Sequence, residues 1–481
     1  MRPSQPTNLS YDPIHGYIPF SSGESEGNPT PDEIFERDII DNRWLQRLRN
    51  IHQLQTAWWV FPAAEHTRFQ HVLGAMHLGS VVADAFYDSL ADSCPDVPSR
   101  GYIKLLLRMA GLLHDVGHGP FGHFFDTHFL QHYGLTHETL GARIIESELA
   151  DSLSRLKRTA DTTLAGKEKL VASDIAWLIQ RPRTRTPEAG SNPGAGNATE
   201  GKPEWLVFLR SLLSGIYTID NMDFVLRDAY MSGFSPQSFD LQRLIHYSFF
   251  TRRGLTISDK GIDALVRFLS AKADLFRSIY FHRTVRGIDL MLAELFHKSR
   301  DYLFPGNPLD HLDEYLGFTE SSLLVDVDRW KKSSDPKLRE LGNEWQLLLT
   351  RKLHWLMVCQ RSFVFEMGQT EQASILSDRE ILAKKIRERL SPAAQKAGFR
   401  IDIARHIHRP HTQGPSSGQN FLFDSARNEI RPLTAHTLYQ RLPFSHHIVR
   451  IYAPTHDFSA EYARAIDELF GGSGTDDLTN M

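Results

Sequence analysis

The sequence predicts a mainly α protein, a helical core with a smaller α+β lobe at its C-terminal side. Three observations carry this. Between about residues 38 and 304, apolar residues recur at three- and four-residue spacing, as on buried helix faces. After about residue 320 the pattern changes, and FRIDIARHI (399–407), FLFD (421–424) and HHIVRIYAP (446–454) alternate or are β-branched, as strands are. The 41% hydrophobic and 23% charged composition is that of a chain burying a core.

In chain order, the helical period predicts helices within 38–55, 69–90, 102–114, 138–149, 168–180, 204–231, 240–250 and 261–304. A helical stretch at 336–360 precedes the strands, and an amphipathic helix at 459–470 follows them. Residues 21–32 and 412–419 read as polar loops, and 181–203 (RPRTRTPEAGSNPGAGNATEGKP) as a mobile one. A Gly/Ser/Asp tail ends the chain. The expected division is a helical core at 1–320 and a C-terminal α+β lobe at 321–481.

A net charge of -4 advertises no basic surface for nucleic acid or anionic membrane, although a local patch stays open. Cys94 and Cys359 form no CxxC pair, which argues against a thiolate metal site and for a reducing compartment. No apolar run approaches the roughly 18 residues of a membrane span, and MRPSQPTNLSYDP lacks the apolar stretch of a signal peptide. The expectation is a cytoplasmic protein without a membrane partner. The unusual count is 23 histidines, many of them within 52–137.

In LLLRMAGLLHDVGHGPFGH (105–123) an apolar helix runs into His114 and Asp115 as Gly117, Gly119 and Pro120 end it. A carboxylate placed there is costly unless paired, and a buried His–Asp hydrogen bond would explain the dipeptide alone. In 67–86, His71 shares an apolar helix face with Ala75, Leu78 and Val82, with Arg68 one turn before it. A satisfied core histidine would explain that residue alone. In 219–233, Asp223 and Arg227 read as a routine i,i+4 pair, while Asp220 has no partner nearby in sequence. Three helices thus each bring an imidazole or a carboxylate out of an apolar surface. Two imidazoles and two carboxylates suit a divalent first-row metal with open positions for water and substrate.

The ordered set H71…H114-D115…D220 resembles the H…HD…D motif of HD-domain phosphohydrolases. YDPIHGYI (11–18), IIDNRWLQRLRNIHQL (39–54), VFPAAEHTRFQHVLG (60–74), LLHDVGHGPFGHFFD (112–126), THE (136–138), DNMDFVLRDAYMSG (220–233) and IYFHRTVRG (279–287) are similar to successive blocks of its deoxynucleoside-triphosphate triphosphohydrolase branch, as is 446–470 to the end of that branch's C-terminal lobe. The resemblance implies an HD-type core that hydrolyses dNTPs to deoxynucleoside and triphosphate, by metal-activated water attack at the α-phosphorus.

Carried over by position, it makes His71, His114, Asp115 and Asp220 the metal ligands. It sets Arg68, His118, His123 and His137 around the phosphates, with Asp126 and Glu138 in support. Asp126, three residues after His123, is suited to fix that ring's tautomer. Gln53, Leu54, Asn221, Phe224, Asp228 and Arg286 stand at the substrate, and Asp41, Gln46 and Arg49 at a regulatory nucleotide. The mixed N/O ligand set favours Mn, Fe, Co, Ni or Zn, with Mg joining alongside substrate; a second metal on His118, His123 or His137 stays open. The implied partners are a nucleotide substrate, a nucleotide activator and further copies of the chain in a dimer or tetramer. Asn221 replaces a phosphate-binding lysine of the mammalian member, and Phe224 and Arg286 replace tyrosines. Those departures keep two rivals open: hydrolysis of another phosphoester (a nucleoside monophosphate, a dinucleotide or a nucleic-acid end), and a nucleotide-sensing protein without catalysis.

Overall fold

Ser and Thr side chains start the helices that matter most here. Gln70 Oε1 accepts the Thr67 N–H at 2.7 Å ahead of the Arg68–Ser93 helix. Ser99, Thr136 and Thr218 accept backbone N–H groups ahead of the Arg100–Leu113, His137–Ser147 and Ile219–Met231 helices. The computed structural model describes residues 8–23, 32–180, 201–365, 376, 378–407, 421–443 and 445–470. Residues 24–31 of the polar loop expected at 21–32, the loop at 412–419, residues 181–200 of the expected mobile loop, and the tail from 471 lie outside the described residues.

The fold is mainly helical, with small sheets. The Arg68–Ser93 and Arg100–Leu113 helices form the centre of the larger core and pack closely. A Cβ on Gly79 would sit 2.6 Å from the Leu107 carbonyl oxygen, and one on Gly111 2.5 Å from that of Ala75. Only glycine permits that approach. The Ile219–Met231 helix lies across the first of the pair.

Strands β1 (Asn8–Asp12) and β2 (Gly16–Phe20) make an N-terminal hairpin. Strands β3 (Ser248–Thr251), β4 (Gly254–Ser258), β7 (Phe421–Asp424) and β8 (Glu429–Pro432) form a four-stranded sheet in which β4 and β7 run parallel. The other sheet has the order β5 (Leu356–Phe365), β9 (Ser445–Ala453), β6 (Arg400–Ile407), antiparallel throughout. Flanked on both sides, β9 is buried along its whole length.

Several expected boundaries move. The period at 204–231 splits into Glu204–Arg210 and Ile219–Met231, because Thr218 caps a new start. Helix 240–250 stops at His246 and continues as β3. The stretch at 336–360 is a helix only to Leu349 and then becomes β5, whose VCQRSFVF favours an extended chain. The 261–304 segment is interrupted by a π-helical turn at Phe276–Tyr280. A division at 320/321 does not coincide with the hydrophobic clusters. Leu323, Val327, Trp345 and Leu348 join the first core, as do Leu422, Leu433 and Tyr439. The second core runs from Cys359 to Ile401 and from Val449 to Ile466.

Candidate active site

His71, one turn into its helix, and His114, at the end of the neighbouring helix, face each other with Nε2 atoms 3.2 Å apart. Asp220 Oδ1 lies 3.2 Å from His71 Nε2 and 3.6 Å from His114 Nε2. Asp115 Oδ1 lies 3.3 Å from His114 Nε2, and its other oxygen 4.0 Å from His71 Nε2. Three helix ends thus bring four donors together: ligand atoms of His71, His114 and Asp115 lie within 4.8 Å of one another, and Asp220 flanks both histidines.

The outer ring nitrogens define the tautomers. His71 Nδ1–H donates to Asp223 at 2.7 Å, and His114 Nδ1–H donates to the Gly111 carbonyl at 2.8 Å. Both acceptors can only accept, so in the neutral ring it is Nε2 that turns a lone pair toward the shared point. Two such lone pairs at 3.2 Å repel unless a positive charge lies between them. The field supplies that preference. Burial opposes charge on His71, but hydrogen bonds with Asp220 and Asp223 prevail and lift it to about 10. His114 is raised against its burial by the charge of Asp115 and the bond to Asp220. Burial opposes charge on Asp115 and Asp220 also, yet the neighbouring histidines, and Arg68 for Asp115, hold both below the usual carboxylate range. The four residues fit a divalent cation in charge, donor type and direction.

Arg68 is buried beside them, its Nη1 donating to Asp115 Oδ2 at 2.6 Å. A Cβ at position 122 would meet Arg68 Nη2 at 2.2 Å, and Gly122 holds φ +56°, so glycine serves both space and backbone there.

Next to this cluster lie His118, His123, Asp126 and His137, whose ligand-type atoms fall within 4.8 Å of one another. Asp126 accepts from His137 Nδ1 at 2.5 Å and contacts His123 Nδ1 at 3.4 Å. Its main histidine partner is therefore His137, eleven residues away, rather than His123. His118 is fully buried and stacks on His137 with ring centroids 3.7 Å apart. Burial, with the charges of Arg68 and His137, holds His118 well below the usual imidazole range. His123 is 62% exposed.

A cavity of about 290 Å³ opens on the cluster. Arg68, His114, Asp115, Asp220, His123, His137 and Glu138 supply polar wall; Leu54, Phe224, Phe276, Tyr280 and Phe281 supply apolar wall, and Gln53 also lines it. His118 and Asp126 stand behind the wall.

Three expected substrate residues are already engaged. Asp228 is buried, bonded to His66 Nε2 at 2.8 Å and to the Tyr280 hydroxyl. Arg286 lines the cavity, but its guanidinium is held by Asp402 on β6, at 2.5 Å, and by Asp289 at 3.2 Å. Asn221 accepts from Lys272 Nζ at 2.8 Å. Asp41 and Arg49 are on the surface: Asp41 approaches Arg37 at 3.5 Å, and Arg49 bonds Gln46 at 2.8 Å and covers the Phe69 ring.

Sequence reading passed over Tyr280, Phe276, Lys272 and Asp289. Tyr280 stands within a block it used for the resemblance; the π turn rotates residues out of the 3.6 period and hides its direction.

Residues 68–193 match the family model for the HD domain. Over that stretch the chain is therefore similar to the HD domain, and the helical core and the convergent His and Asp side chains fit that class.

More particularly, it is similar to the deoxynucleoside triphosphate triphosphohydrolase SAMHD1 of Homo sapiens, with 26% identity over 94% of this chain and 71% of that protein. It is also similar to uncharacterised proteins of Methanocaldococcus jannaschii, with 29% identity over 61% of the chain, and of Bacillus subtilis, with 27% over 63%. Those matches span 54% and 64% of the two relatives' own lengths. The solved structure of a hypothetical protein from Aquifex aeolicus shares the fold, with TM-score 0.63 and 21% identity over 96% of this chain and all of that one. Among the described residues, no helix is long and apolar enough to cross a membrane.

Proposed function

We propose that the chain is a metal-dependent phosphohydrolase that cleaves dNTPs to deoxynucleoside and triphosphate. The carrying observation is the convergence of the His71 and His114 lone pairs with Asp115 and Asp220, both outer ring nitrogens being already committed. A divalent cation there would be held by these four residues, and when bound it supplies Lewis acidity and a water nucleophile near neutral pH. The similarity to human SAMHD1, whose name carries that activity, supports the choice of substrate.

The protein groups have separable tasks. Arg68 keeps Asp115 charged and offers its remaining donors to a phosphoryl oxygen. Lys272, half-buried and bonded to Asn221, restores a fixed cation near the position where Asn221 replaces lysine. The rings of Phe224, Phe276 and Tyr280 offer stacking surface to a base or sugar, and Gln53 and Leu54 complete that wall. Cleavage breaks the bond from the α-phosphorus to the 5′ oxygen as water adds on the opposite side. The leaving oxygen needs a proton, which His123 or the His137–Asp126 pair can give, and the attacking water releases one. His118, sealed beneath His137, orders that ring by stacking and contacts Asp115 at 3.3 Å.

The test is incubation of the full chain with Mn²⁺ and each dNTP, with product identification, beside Asp115→Ala. Triphosphate and deoxynucleoside are expected, with a loss of at least about a hundredfold in the variant. Diphosphate or monophosphate products, or activity only on nucleoside monophosphates, dinucleotides or nucleic-acid ends, would overturn the dNTP assignment. Unchanged turnover in metal-free Asp115→Ala would overturn the metal site.

A further inference from the structure

The N-terminal hairpin reaches the metal cluster from outside. Its β1–β2 register pairs Asp12 with Gly16, so Asp12-Pro13-Ile14-His15-Gly16 is the turn. Asp12 Oδ1 accepts the N–H groups of Ile14 and His15, both at 2.9 Å, which locks the turn from within. Gly16 closes it at φ +74° with open space around it, so the requirement there is backbone sign. The hairpin's flanks are wet, with Tyr11 80% exposed, yet the His15 side chain is only 4% exposed. This turn is built to send one imidazole inward.

His15 Nε2–H donates to Asp223 Oδ1 at 2.7 Å. Arg227 donates to both oxygens of Asp223, at 2.8 and 2.9 Å, and to Asp12 Oδ2 at 2.8 Å. The remaining bond to Asp223 comes from His71 Nδ1 at 2.7 Å. Each Asp223 oxygen thus accepts two hydrogen bonds, one pair including His15 and the other including His71. The fit is close on the far side too: a Cβ on Gly74 would lie 1.9 Å from Asp223 Oδ1.

We infer that His15 is a positioning residue for the metal ligand His71, acting through Asp223. Arg227 fixes the carboxylate in a planar fork, and His15 adds a second hydrogen bond to Oδ1 from a separate element. His15 pins Oδ1, and Oδ2 is then held on His71 Nδ1, which turns the His71 Nε2 lone pair to the cluster. No change of protonation is involved. The inference rests on the metal site proposed above and is independent of the substrate.

The experiment removes metal from the full chain and titrates Mn²⁺ by calorimetry and Co²⁺ by visible absorption, for wild type and for His15→Leu, His15→Asn and His15→Gln. Gln carries an N–H about as far from the backbone as Nε2, whereas Asn falls short and Leu has no donor. His15→Leu and His15→Asn are expected to weaken Mn²⁺ binding by about tenfold to a hundredfold and to alter the Co²⁺ bands, with His15→Gln staying within about threefold of wild type. Wild-type affinity and bands in His15→Leu would overturn the inference. If that variant does not fold, equal behaviour of the Asn and Gln variants overturns it in the same way. A wild-type chain that binds neither ion overturns the metal site itself, an outcome distinct from the other two.

Discussion

A histidine is a ligand only through a nitrogen without a proton, so what its other nitrogen bonds decides its use. As proposed ligands, His71 and His114 commit Nδ1 to Asp223 and to the Gly111 carbonyl, which leaves Nε2 for a cation. Asp223 and Arg227 were legible in the sequence as a helical pair four residues apart, and they are one. Their further duty toward His71 was not legible, because the residues lie 152 positions apart. Arg68 shows the same limit: its place one turn before His71 was visible, its bond to Asp115 was not. Arg68→Lys keeps the charge but loses the planar fork of donors. Turnover is expected to fall about tenfold or more, with metal content unchanged, read by steady-state kinetics beside metal analysis. Wild-type turnover would assign Arg68 to the fold alone.

At the level of elements, the ligand geometry depends on how closely two helices approach. His71 and His114 sit one on each, and Gly79 and Gly111 set the separation. Alanine at 111 would gain up to about 1 kcal/mol of helix propensity. Against this, its Cβ would meet a backbone carbonyl at 2.5 Å, and overpacking of that kind costs about 1–3 kcal/mol. The backbone cannot rotate aside as a side chain can, so the clash wins. Gly111→Ala is expected to lower Tm and weaken Mn²⁺ binding together, whereas Gly317→Ala, with nothing within 4 Å, lowers neither. A Gly111→Ala protein with the wild-type melting temperature would defeat the argument. The helices themselves were legible from spacing. The breaks at Phe276–Tyr280 and before β5 were not, since a π turn and a buried strand leave the same apolar residues on the page.

For the whole molecule, the second core is tied to the cavity by charge. Asp402 on β6 holds Arg286, and Arg286 meets Asp289, which accepts from Thr56 at 2.6 Å. Asp402, on the C-terminal sheet, thus holds a side chain that lines the cavity. We propose that the surface at 41–49 offers a second route of control, through a nucleotide shared between copies of the chain. Control of this kind requires an activator to favour the competent assembly over the idle one. Turnover of dATP is expected to rise on addition of dGTP or GTP, with a dimer or tetramer seen by light scattering and a weaker response in Asp41→Ala. A fully active monomer indifferent to every added nucleotide would remove the regulatory reading. An oligomer active alone would remove the activator and keep the assembly.

What the sequence by itself determined is the material of the site and its supports. Helical period and donors rising from apolar faces are properties of a few adjacent residues, and local spacing records them. Tertiary structure alone decided which nitrogen of each histidine is free, that Asp126 serves His137 before His123, that His118 lies behind the wall, and that Arg286 is held by Asp402. The bond from His15 to Asp223 spans 208 residues. No local period encodes such a contact, because it exists only once separate elements have packed and each buried polar group has found the partner that burial demands.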